Sequence, residues 1–136
     1  MNTNTSTMYT EEYTQKIKQL THPSFDQIRA IAIESISHLS NDEHTALWKE
    51  LEHGVKLLDS HETMCEYLRA YGLMHEAKIK NALEHLPLDI LKSQNLQIID
   101  WGCGQGLASI CYFDFLNDRG ICPTVEKVVL IEPAEQ

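Results

Sequence analysis

The sequence predicts an α/β fold, with a helical region over residues 1–93 and the start of a parallel sheet over 94–136. Three observations predict it. Before residue 93, apolar residues recur at helical spacing behind repeated N-terminal capping signatures. Two short apolar runs, Leu96–Trp101 and Lys127–Glu132, read as strands. Between them, a turn with glycines at alternate positions, Gly102, Gly104 and Gly106, opens a helical segment, the layout of a β-α-β unit.

Met1–Met8 is rich in Thr, Asn and Ser and is expected to fray. A short helix follows over Thr10–Leu20, and Thr21-His22-Pro23 breaks it. Ser24 caps the next helix, with Gln27 returning the hydrogen bond, and Phe25, Ile28, Ala32, Ile36 and Leu39 form its buried stripe. Ser40 and Glu43 form a second capping box. Its helix is expected to reach Leu58, with Leu51, Val55 and Leu58 on one side and Gly54 tolerated inside at about 1 kcal/mol. Thr63 and Glu66 read as a third box, opening a long helix to His85 with Met64, Leu68, Tyr71, His75 and Ile79 on one face. Pro87 cannot continue that helix, and a short turn over Leu88–Lys92 leads through Asn95 into the first strand. Both strands are expected to be covered on both faces. Leu107–Asn117 reads as the crossover helix, Asp118–Thr124 as a loop, and Pro133 as the end of the second strand.

Composition bounds the function. The length suits one ordinary domain, and 43% hydrophobic with 23% charged residues is normal for a globular chain. A formal net charge of −9 argues against a surface that tracks nucleic-acid phosphates. No apolar signal core and no membrane-spanning run are visible. Cys65, Cys103, Cys111 and Cys122 form no C-x-x-C pair, so reduced cytoplasmic thiols are expected rather than disulfides or zinc.

The glycine turn carries the chemistry. It departs from the dinucleotide pattern G-x-G-x-x-G, because Leu107 stands at the last position, and it lacks the lysine of a P-loop. What stands here is acid-x-G-x-G-x-G, read as Asp100, Gly102, Gly104 and Gly106. A carboxylate beside the turn disfavours a phosphate and favours a cation. S-adenosylmethionine carries an ammonium and a sulfonium and no phosphate, so the sign of the charge selects it over NAD or ATP. Glu132 closes the second strand 26 residues after Gly106, where a carboxylate can accept both ribose hydroxyls.

Here the chain resembles the class I S-adenosylmethionine-dependent methyltransferases. Ile98-Ile99-Asp100-Trp101-Gly102-Cys103-Gly104-Gln105-Gly106 is similar to the family's first motif, and Val128-Val129-Leu130-Ile131-Glu132-Pro133 to the strand ending in the ribose acid. The resemblance implies a doubly wound, Rossmann-like sheet behind an N-terminal helical cap. It implies that Gly102, Gly104 and the nearby backbone, Cys103 and Gly106 included, contact the methionine portion, that Asp100 orients it, and that Glu132 holds the ribose. It covers Leu96–Gln136. The later strands, after which the family's adenine- and acceptor-binding residues come, are not seen, so the chain reads as a truncated fragment, inactive alone, binding cofactor weakly or not at all, and with sheet edges open to homodimer formation. The methyl acceptor and any catalytic base are not named by the sequence.

Other constellations read more plainly. Tyr67, Tyr71 and His75 recur at helical spacing; packing between the two halves is the favoured reading, and a lid or acceptor wall over the cofactor is the alternative. Arg69 is expected to be solvated. The seven histidines are scattered without metal-ligand spacing and read as surface residues. Cys103 lies near a helix start, yet methyl transfer needs no protein nucleophile, so it reads as a small packed cysteine. Two other classes stay open: a non-enzymatic helical interaction module with a relic turn, and an NAD- or nucleotide-binding α/β protein.

Overall fold

The computed structural model describes residues 9–132; the expected fraying of Met1–Met8 and the stop at Pro133 lie outside the described residues. The fold is mixed α/β and mostly helical. In chain order the elements are α1 (Glu11–Lys18), α2 (Phe25–Ser35), α3 (Asn41–Glu50), α4 (His61–Glu84), α5 (Leu88–Leu91), β1 (Leu96–Trp101), α6 (Leu107–Asp118) and β2 (Val125–Ile131). The chain divides into two compact units, Met1–Gly72 and Leu73–Gln136, and the boundary falls inside α4.

In the first unit the helix starts follow side-chain chemistry. Thr10 caps α1 by accepting the Tyr13 N–H. Ser24 with Gln27, and Ser40 with Glu43, close full capping boxes on α2 and α3, satisfying N–H groups that the helix itself leaves orphaned. Phe25, Ala32 and Ile36 are buried along α2, while Ile28 and Leu39 are half-buried. Leu51, Cys65 and Leu68 complete a core in which each side chain is 2% exposed or less.

Two boundaries differ from expectation. α3 stops at Glu50 instead of running to Leu58. A 3-10 turn at Glu52–Gly54 follows, with Glu52, His53 and Gly54 at φ of 45°, 60° and 85°. Gly54 is therefore part of a reversal, and it permits the approach of Tyr67, whose ring carbon would lie 3.2 Å from an added Cβ. Val55, expected on the buried side, is 84% exposed. α4 begins at His61, and its box is Ser60 with Thr63 rather than Thr63 with Glu66. The Ser60 Oγ accepts the Thr63 N–H at 3.1 Å, and the Thr63 Oγ1 accepts the Ser60 N–H at 3.1 Å. Glu66 is released from the cap and lies fully buried.

In the second unit, β1 and β2 pair in parallel, joined by α6. Ile98 pairs with Val128 and Trp101 with Ile131, and the register is irregular between Leu96 and Gln97. Leu91, Phe115 and Leu116 form the core, ringed by Leu83, Tyr112 and Ile121. The Arg119 guanidinium lies 3.6 Å over the Phe115 ring and reaches Glu84 at 3.2 Å. The expectation that the strands are covered on both faces fails. Burial alternates along β1, so that Leu96, Ile98 and Asp100 are half-buried while Ile99 and Trp101 are 57% and 73% exposed. Val128 and Leu130 of β2 are exposed as well. An apolar run reports the propensity to be a strand, whereas coverage depends on what packs on it. No helix among the described residues is long and apolar enough to cross a membrane.

Candidate functional site

The site forms where both strands end. β1 delivers Asp100 to the covered face one residue before its end, and β2 delivers Glu132 just beyond Ile131. The chain leaves β1 through a turn pinned to the neighbouring strand: the Gly102 and Cys103 N–H groups both donate to the Ile131 carbonyl, at 2.7 and 3.1 Å. The Gly106 N–H then donates to the Cys103 carbonyl at 2.7 Å. Gly106, at φ 73°, is the N-terminal cap of α6, and no side chain caps that helix. Gly104 has φ 50°; an added Cβ would sit 3.8 Å from the Glu132 carboxylate, so its requirement for glycine is conformational rather than steric.

The carboxylates are fixed from opposite sides. Ser109, in the first turn of α6, donates its hydroxyl to Asp100 Oδ2 at 2.7 Å. The Gly104 N–H donates to Glu132 Oε2 at 2.6 Å. The turn is thus folded around a carboxylate of the chain itself, bound to the backbone N–H that a phosphate would otherwise take. Burial and the charges of Asp100 and Glu132 raise the Cys103 thiol above its ordinary value. That keeps the thiol protonated, the opposite of what a nucleophile needs.

Asp100, Gly102, Cys103, Gly104, Gly106 and Glu132 therefore belong to one local structure. Tyr71 belongs to the first unit, its ring 5.5 Å from that of Tyr67. His75 belongs to the second unit on α4, and burial and the charge of Lys78 lower its pKa. The sequence reading missed Ser109. Its signal was present, a hydroxyl three residues past the last glycine of the turn, in the first turn of the crossover helix.

Three of the seven histidines are not exposed: His75, half-buried on α4, and His44 and His61, which are held by other side chains. His61 is 8% exposed. Its Nε2 lies 2.7 Å from Ser35 Oγ, and its Nδ1 accepts the Thr10 N–H at 3.4 Å. With Nδ1 accepting, the neutral ring carries its proton on Nε2 and donates it to Ser35. A base activating Ser35 would need the reverse, so this pair ties helices together and has no nucleophile's geometry. His44 meets Glu66 of α4, which Arg69 of the same helix also binds. The His44 Nδ1 lies 2.8 Å from Glu66 Oε2, and Arg69 donates to both Glu66 oxygens, through Nε at 2.8 Å and through Nη2. Arg69, expected to be solvated, is held by a buried carboxylate. Among the described residues no group of three or more His, Cys, Asp or Glu converges as a metal would require.

Comparison with family models, curated proteins and solved structures finds no match for the chain.

Proposed function

We propose that the strand-end turn is the methionine- and ribose-binding part of an S-adenosylmethionine-dependent methyltransferase site, on the first β-α-β unit of a Rossmann-like sheet. One observation carries the reading: two carboxylates, Asp100 and Glu132, border a backbone turn whose Gly104 N–H is already held by Glu132. A phosphate brought to this turn meets two negative charges and must displace an internal acceptor. S-adenosylmethionine, whose ammonium and sulfonium outweigh its one carboxylate, brings a net positive charge to them. The donor set suits that group. Glu132 has about four lone-pair positions, so it can keep the Gly104 N–H and accept ribose hydroxyls as well. Asp100, oriented by Ser109, is placed to accept from the ammonium.

When bound, the cofactor supplies an electrophilic methyl group for in-line displacement. The chain's own contribution is placement: the pinned turn orients the donor, and no residue here is assigned the role of base. Among the described residues Cys65, Cys103 and Cys111 are buried or half-buried and form no disulfide, which supports action in a reducing compartment such as the cytoplasm. The methyl acceptor stays unassigned.

Calorimetric titration with S-adenosylmethionine, S-adenosylhomocysteine and NAD tests the reading. Binding of the first two without the third is expected, and Asp100→Ala and Glu132→Ala each weaken it about tenfold or more, the scale of one lost charge-assisted hydrogen bond. Binding of NAD overturns the choice of cofactor. Binding of none of the three favours an interaction module in which the turn is structural.

A further inference from the structure

A second site lies in the first unit, independent of the strand-end turn. Asn41, His44, Thr45 and Trp48 occupy one face of α3 and, with Arg69 of α4, line a pocket of about 290 Å³. Two of the lining residues, His44 and Arg69, are tied to the buried Glu66. That carboxylate is fully buried, and it takes the Nε and Nη2 donors of Arg69 and the Nδ1 of His44.

The geometry fixes what the pocket can recognise. Glu66 occupies the side-on edge of the guanidinium. The end-on edge, an N–H from each of the two Nη atoms, is left by this arrangement, and the Arg69 side chain is 38% exposed. Arg69 lines the pocket, so guanidinium N–H donors beyond those held by Glu66 border it. Two parallel N–H donors match a planar carboxylate. The Asn41 side chain adds a neutral amide beside them. Trp48, 41% exposed and perpendicular to the His53 ring at 6.0 Å, adds an apolar ring to the same lining. The volume is at the small end for a ligand pocket, which limits the occupant to a compact molecule. Stability alone is a poor explanation for the arrangement, because a buried ion pair is a weak stabiliser compared with apolar packing of the same volume.

We propose that this pocket binds a small aromatic carboxylate, the carboxylate on the end-on edge of Arg69 and the ring against Trp48. His44 is a positioning residue, holding Glu66 so that the arginine fork stays oriented.

The test uses the whole chain, with benzoate as probe, benzamide as its neutral isostere and inorganic phosphate as a non-planar anion. Affinities are read from side-chain N–H shifts of Arg69 and Asn41 in nuclear magnetic resonance titrations. Benzoate is expected to bind at least about tenfold tighter than benzamide, the scale of a charge-assisted pair. Arg69→Lys, which keeps the charge and loses the fork, lowers benzoate affinity about tenfold and leaves benzamide unchanged. Trp48→Ala, at an exposed position that the fold tolerates, weakens both probes by about fivefold. Should Arg69→Lys unfold the chain, the Trp48→Ala result and the benzoate-to-benzamide ratio decide the matter. Equal binding of benzoate and benzamide, phosphate binding as tight as benzoate, or indifference to Trp48→Ala overturns the proposal.

Discussion

The two units bury apolar residues by different means. In the first, α1, α2 and α4 carry buried residues while α3 carries none, and Phe25, Ala32, Ile36, Leu51 and Cys65 end at 1% exposure or less. In the second, Phe115 and Leu116 are as well buried, yet four apolar residues of the sheet, Ile99, Trp101, Val128 and Leu130, are 40% exposed or more. A helix needs a partner on one side, whereas a parallel sheet needs a layer on each face. Apolar residues are plentiful in both units; what differs is the number of surfaces that must be matched.

That contrast can be broken by substitution. The largest effect is expected at Arg69. Arg69→Ala leaves Glu66 buried without its main partner and should cost about 3–5 kcal/mol, read as a fall in the urea midpoint. The double variant Arg69→Met with Glu66→Gln should recover most of that loss. A similar loss for the single and double variants would contradict a charge-burial origin. Phe25→Ala should also cost about 3–5 kcal/mol, because its ring is 1% exposed and packs where Gly72 leaves no room for a Cβ, 3.1 Å from the ring. Trp101→Ala removes a larger side chain, yet at 73% exposure it should change stability by no more than about 0.5 kcal/mol. If both substitutions cost the same, the sheet face is covered and the contrast fails.

Alkaline pH sharpens the comparison through groups buried in the first unit. Burial pushes the Cys65 thiol from 9.0 up to about 12, with the charge of Glu62 adding to it. Burial likewise lifts the Tyr13 hydroxyl from 10.0 to about 12. In the unfolded chain these groups ionise near their ordinary values, while in the folded chain they stay neutral until about 12. Folding is therefore favoured fully below pH 9, and that contribution is lost as pH rises from 9 toward 12. Urea midpoints measured across this window should fall, and Cys65→Ala should flatten the part that begins near 9. A smaller effect tests the revised start of α4. Ser60→Ala should cost about 1 kcal/mol as the loss of a helix cap. No change there would return the cap to Thr63.

Local chemistry was legible in the sequence. The boxes at Ser24 and Ser40, the turn at Gly102–Gly106 and the order strand, helix, strand all rest on patterns a few residues long. The start of α4 was misread because two overlapping patterns competed: Thr63 with Glu66 matches the favoured box, and only the burial of Glu66 shows that it has another use. The reversal at Glu52 and His53 had only a faint signature, since histidine is enriched at positive φ but glutamate is not. His44 and Glu66 stand 22 positions apart, so no spacing rule joins them, although the Glu66–Arg69 pair at one helical turn was open to recognition. For the strand-end turn, Asp100 and Glu132 were legible as strand-terminal acids, and the Glu132–Gly104 hydrogen bond was not, because it joins residues 28 apart and depends on the parallel pairing of β1 with β2.

The most direct measurement of the central claim is a titration of nitrogen-15-labelled protein with S-adenosylhomocysteine, following backbone amides up to about 1 mM, a range that detects even weak binding. The account predicts saturable shifts at Gly102, Cys103, Gly104 and Gly106 that are lost in Glu132→Ala, with NAD leaving the same amides unmoved. Shifts produced by NAD, or none from S-adenosylhomocysteine at that concentration, would contradict it.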